Sequence, residues 1–192
     1  MPGLTRNPMD KLHQEIRNRY SGKVIFEGEA QSVRELLESA VRLEVDLSEV
    51  DLSGVNLSRA RLVGAKLPLA DLNGANLSGV DLTEAWLPGA RLTSADLSGA
   101  TVRKANLSGA DLSDANLRNA NLAWARLTMA NLSEANLTRA NLLGANLTGA
   151  NLFESILEGV NLSGAKLDEA TLIGTHMVGA SVEWTTGLEP EE

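Results

Sequence analysis

From Val45 to Trp184 the apolar positions recur every fifth residue, and the register never slips. The stretch "ANLSEANLTRANLLGANLTGANL", residues 130–152, places alanine, asparagine and leucine together in each unit. A period of five fits neither regular element. On a helix, residues five apart lie about 140° from one another, so successive leucines would wander around the whole cylinder. On a strand, an odd step sends successive leucines to opposite faces. The chain must therefore turn a corner in every unit. Units this short cannot bury their leucines alone, so they must stack.

Each column of the repeat has a physical reading. The central position runs from Leu47 to Val182 through 28 units, and leucine fills 25 of them; the exceptions are Val102, Met177 and Val182. Two residues earlier, 21 of 28 are alanine, the small size expected where a wall closes on an interior. Immediately before the centre, 17 of 28 are asparagine or aspartate, which bond neighbouring backbone and tolerate turns. Glycine occupies the last position in 13 units, as a type II turn with positive φ requires. Units ending in a longer residue, such as Trp124, Glu134 or Arg139, are expected to use another turn type. Pro68 and Pro88 each follow a central leucine, four units apart.

The motif A(N/D)LSG, present as "GANLSGVDL", "SADLSGA" and "GANLTGANL", resembles the pentapeptide-repeat proteins over residues 45–184. The resemblance implies an all-β solenoid: a right-handed quadrilateral β-helix with four units per coil, hence about seven coils and a rod about 30–35 Å long. Charge spacing does not decide the coil number. At a spacing of four units, five opposite pairs (Asp46–Lys66, Arg61–Asp81, Asp71–Arg91, Arg91–Asp111 and Glu84–Lys104) stand against three like pairs, and a coil of three units also gives five opposite pairs.

Residues 1–44 read as an N-terminal cap. "EIRNRYSGKVIFEG" holds two β-prone runs around Ser21-Gly22, a hairpin pattern. "SVRELLESAVRLE" opens with a capping box, Ser32 and Glu35, and puts Val33, Leu36, Leu37, Ala40 and Val41 on one helix face. A solenoid end exposes leucines and unpaired backbone, and this apolar face suits covering it. Residues 185–192 read as an acidic, poorly ordered tail.

Composition narrows the function. The chain has 192 residues, no cysteine and a net charge of −8, which argues against disulfides, thiolate metal sites and general nucleic-acid binding. No apolar run approaches a membrane span, and the start, "MPGLTRNPMDKLHQ", lacks a signal-peptide core, so a bacterial, cytoplasmic protein is expected. No cofactor is implied, and no histidine or carboxylate spacing points to zinc. His176 beside Ser181 is the one base–hydroxyl candidate, read as a surface histidine in a variable column. Seven Asn-Leu-Ser/Thr triplets, beginning at Asn56, follow automatically from the repeat.

Two surfaces could meet a partner. Asp114, Glu134 and Glu154 form one outward acidic column, with Asp111 on the same side. This resembles the DNA-mimicking members of the family, the quinolone-resistance proteins that bind DNA gyrase, although Arg91 interrupts the stripe. Near the C-terminal end, Phe153 and Ile173 share one side, and Ile156 and Val178 the next, as an apolar contact surface. A solenoid without a pocket presents surface. The expected function is a non-catalytic scaffold or protein-interaction module with a protein partner, including a homodimer through the C-terminal end. The alternative is gyrase binding by DNA mimicry.

Overall fold

The computed structural model describes residues 11–188. Two antiparallel strands, β1 (Leu12–Arg17) and β2 (Val24–Ala30), precede a helix, α1 (Val33–Arg42), and the solenoid ladder then runs from Asp46 to Thr186. The hairpin turn is organised by Asn18, whose side-chain oxygen accepts from the backbone N–H of Tyr20 and Ser21, while Gly22 takes a positive φ. Ser32 caps α1 by accepting from the N–H of Glu35. The Glu35 carboxylate answers to Gln31 N–H, one residue before the cap. Leu36, Leu37 and Ala40 are buried on the helix face that closes the solenoid core. The helix ends in a Schellman arrangement, with Glu44 at positive φ and Val45 N–H reaching Ala40 C=O, which delivers the chain into the first unit.

Each coil holds four units. Parallel bridges join Asp46 to Lys66, Lys66 to Trp86, and so on to Lys166 and Thr186. One turn of the quadrilateral β-helix therefore spans four corners, and the ladder runs two residues past 184. Pro68 and Pro88 lie one coil apart, as Leu69 N–H to Pro88 C=O and Glu49 N–H to Pro68 C=O require. The inward leucines and alanines form one continuous core, with Leu47 through Leu167 essentially excluded from water. The expected acidic tail lies, from residue 189 on, outside the described residues, as do residues 1–10 of the cap region.

One unit shows why the repeat has its composition. In the unit of Leu72, the Leu72 and Gly74 N–H groups donate to the next coil, Asp71 N–H to the coil before, and Ala75 N–H back to Leu72 C=O across the turn. That leaves the N–H of the residue after the leucine. Every one of the 17 asparagines and aspartates before a central residue accepts it with its side-chain oxygen. Pro68 and Pro88 fall in units that carry Lys66 and Trp86 instead, where a residue without an N–H leaves nothing to satisfy.

The expectation of a second turn type is wrong. All 28 corner residues have positive φ, the 15 non-glycine ones between 53° and 62°. The residue before each corner does not share it, so all are type II-like. Ladder bonds on both sides hold each corner, and they offset a left-handed cost of about 1–2 kcal/mol per side chain. Some glycines have a further reason. Trp124 lies over Gly144, Met129 over Gly149 and Leu69 over Gly89, each within 3 Å of where a Cβ would sit. These outward apolar side chains cover the next coil's glycine corner.

Candidate partner surfaces

The acidic column is assembled as expected, but its members differ. Asp114, Glu134 and Glu154 occupy successive corners, since Asp114 N–H donates to Ser133 C=O and Glu134 N–H to Phe153 C=O. All three are exposed, and none forms an ion pair among the described residues. Asp111 is half-buried and tied up within the ladder. Its carboxylate accepts from Ser113 N–H, Ser113 hydroxyl, Thr93 hydroxyl and the Asn131 amide. Burial pushes its pKa up, yet the bonds from Ser113, Thr93 and Asn131 outweigh that and hold it below the ordinary value. Asp46, at the start of the ladder, is likewise held low by the Ser48 hydroxyl and N–H. The stripe is broken further along, where Asp71 is engaged by Arg19 and Arg91, each at 3.4 Å.

The apolar surface spans the last two coils. Phe153 and Ile173 stack one coil apart, and Ile173, Val178 and Trp184 are exposed, whereas Ile156 is half-buried. Here the inward column also opens: Leu172 and Met177 are half-buried and Val182 is 42% exposed, although their counterparts one coil earlier are sealed. Among the described residues, the N–H groups of Leu172, Gly174, Met177, Gly179, Val182 and Trp184 find no backbone acceptor.

His176 and Ser181 do not pair. Each bridges back to the preceding coil, to Ile156 and Asn161, and His176 is exposed. The hairpin holds a grouping that sequence spacing missed. His13 Nε2 lies 3.3 Å from Glu27 and 3.7 Å from Glu15, with Glu29 at 3.9 Å from Nδ1. Ligand atoms of His13, Glu15 and Glu27 lie within 4.8 Å of one another, close enough to hold a divalent cation, but Arg17 already pairs with Glu15. Strand alternation was the available signal, since residues two apart share a face and Glu15 is opposite Glu27.

With the coil geometry established, comparison with known proteins decides the family. The model for pentapeptide repeats (8 copies) matches residues 44–79, 75–114, 115–152 and 145–183. The chain belongs to the pentapeptide-repeat family. Among solved structures, this pentapeptide-repeat protein is similar to Rfr23 from the cyanobacterium Cyanothece 51142, at 41% identity over 50% of this chain and 62% of that one, TM-score 0.43. The chain thus spans less than two thirds of that relative's length. HetL from Nostoc sp. strain PCC 7120, described as involved in heterocyst differentiation regulation, matches at 28% identity over 74% of this chain and 86% of its own, TM-score 0.34. Full-length QnrB1, a plasmid-mediated fluoroquinolone resistance protein, matches at 18% identity over 71% and 78%, TM-score 0.46. No curated protein matches. No helix among the described residues is long and apolar enough to cross a membrane.

Proposed function

We propose that this pentapeptide-repeat protein is a non-catalytic interaction scaffold whose principal contact is its last coil, and that one occupant of that surface is a second copy of the chain. The observation that carries the reading is the asymmetry of the two ends. Hairpin and helix cover the first coil, while Leu172, Met177 and Val182 stay partly open beside Ile173, Val178 and Trp184. The end face offers both N–H donors and the C=O groups of the small-residue column, so a two-fold copy meets complementary groups. The interior supports the non-catalytic part of the reading: it is leucine, alanine and valine, and the two side chains that are polar and buried among the described residues, Thr138 and Ser155, bond within their own turns. Light scattering across a concentration series tests it. A concentration-dependent dimer that Ile173→Lys with Val182→Lys converts to monomer supports the reading. A parent that stays monomeric at high micromolar concentration rejects the homodimer.

A second reading rests on the exposed ladder of Asp114, Glu134 and Glu154, which lacks basic partners among the described residues. It is gyrase binding by DNA mimicry. Diversion of Asp111 into the fold and of Asp71 into ion pairs weighs against it. Gyrase supercoiling assays at low and moderate salt separate the two. The scaffold reading expects no inhibition by the parent; inhibition that vanishes when the three ladder residues become glutamine promotes mimicry.

A further inference from the structure

We propose that the concavity between α1 and the first coil binds a compact, multiply charged phosphate compound through Arg34, Arg42, Arg59 and Arg61. This site lies at the opposite end of the rod from the last-coil surface and does not depend on it. Arg34, Glu38 and Arg42 recur every four residues along one side of α1 and face Arg59 and Arg61 of the first coil across a space of about 360 Å³. Four guanidinium groups and one carboxylate line it, a local excess of three positive charges in a chain of net charge −8. Like charges brought together repel, and an anion between them removes that cost.

The one carboxylate is engaged with backbone. In later coils, the N–H at the position of Arg61 donates to the coil before, as Asp81 N–H does to Ala60 C=O. Arg61 has no coil before it, and Glu38 supplies the missing acceptor at 2.9 Å. Arg34 fills the matching gap on the acceptor side, donating one N–H to Ser58 C=O at 3.1 Å. Arg42 donates to the Ser39 hydroxyl at 2.7 Å. A guanidinium carries five donors, so Arg34 and Arg42 retain most of theirs. Among the described residues, none of the four arginines forms an ion pair. Planar forks of this kind match phosphate oxygens in pairs, which sets the ligand chemistry. No aromatic or large apolar side chain lines the space. Nothing there would stack on a base, so the geometry favours a diphosphate or small phosphorylated metabolite over a nucleotide.

The test is calorimetric titration of the full chain with inorganic pyrophosphate, inorganic phosphate and ADP, at matched ionic strength. We expect saturable pyrophosphate binding that weakens as sodium chloride rises, with ADP no tighter than pyrophosphate. Arg59→Gln with Arg61→Gln should weaken it by about tenfold or more, as expected for lost charge-assisted bonds. Because Glu38 holds Arg61 through its backbone N–H and two like charges are removed, this variant should melt no lower than the parent does. The control, Arg118→Gln with Arg139→Gln, removes the same charge from a distant part of the rod and should bind as the parent does. Amide shifts on titrating the labelled parent provide a readout independent of the variants, and should cluster at residues 34–42 and 58–61. No saturable pyrophosphate binding, equal losses in the two double variants, or shifts elsewhere would each overturn the site.

Discussion

Gly144→Ala isolates two costs that the glycine corners combine. An added Cβ at Gly144 would sit 2.3–2.8 Å from the Trp124 ring, and φ there is +63°. Gly109 is the control: φ is +65°, and nothing lies within 4 Å of its added Cβ. Gly109→Ala therefore carries only the left-handed backbone cost, about 1 kcal/mol. Gly144→Ala carries that and must also lift the indole. Trp124 is 55% exposed, so the ring is free to swing outward rather than break the coil. Uncovering about 40–60 Å² of apolar surface then costs about 1–1.5 kcal/mol. The totals are about 2–2.5 kcal/mol against about 1 kcal/mol. At about 2–4 °C per kcal/mol for a domain of this size, Tm falls by about 4–10 °C against about 2–4 °C. Thermal melts followed by circular dichroism read this directly. The decisive comparison is a cycle with Trp124→Ala. In that background Gly144→Ala should cost no more than Gly109→Ala does in the parent. An unchanged Gly144→Ala penalty without the indole would refute the reasoning.

Three further outcomes follow from the same geometry. Leu127 is fully buried mid-rod, so Leu127→Lys should cost several kcal/mol, whereas Thr128→Lys, one residue along and outward, should shift Tm by no more than a degree or two. Asp111 and Asp46 have folded pKa values below their ordinary ones, so the stability they add is complete above about pH 4 and is lost as pH falls through the folded values. Asp111→Asn should flatten the acid limb of a melting-temperature profile, and a limb as steep as the parent's would remove Asp111 from the account. A parent chain that inhibits gyrase supercoiling at micromolar concentration, and loses that in the triple glutamine ladder variant, would replace the scaffold reading.

Much of the architecture was legible because the repeat states its packing directly. Leucine and alanine columns mark the inside, and the capping box and apolar face of α1 mark the cover. Coil number was a different matter. Opposite charge pairs are equally many for coils of three and of four units, and the family resemblance had to supply the choice of four. Of the opposite pairs read from sequence, Asp71–Arg91 and Glu84–Lys104 are ion pairs in the structure, at 3.4 and 3.2 Å. The turn expectation failed for a physical reason. A residue such as Trp124 or Glu134 disfavours positive φ in isolation, but local preference of about 1–2 kcal/mol yields when ladder bonds on both sides determine the corner. Position alone put Asp111 in the acidic stripe; that its oxygens are occupied depends on Thr93 and Asn131, which belong to the neighbouring coils on either side.

The arginine concavity was illegible for a related reason, and it shows what a cap does in such a fold. A repeat makes every coil the acceptor and donor for its neighbours, so the first coil alone lacks a predecessor. The chain fills that vacancy with non-repetitive groups: Arg17 C=O receives Asp51 N–H, Arg19 N–H reaches Glu49 C=O, Glu38 receives Arg61 N–H, and Arg34 reaches Ser58 C=O. Two of these substitutes are charged side chains on one side of α1, and satisfying backbone with them fixes where the rest of that side lies. Glu38 and Arg34 thereby bring Arg42 over Arg59 and Arg61. Chemistry in a solenoid of identical turns can arise where the repeat must be replaced by something else. That condition holds at the capped end and, through its open leucine column and N–H groups that find no backbone acceptor among the described residues, at the last coil.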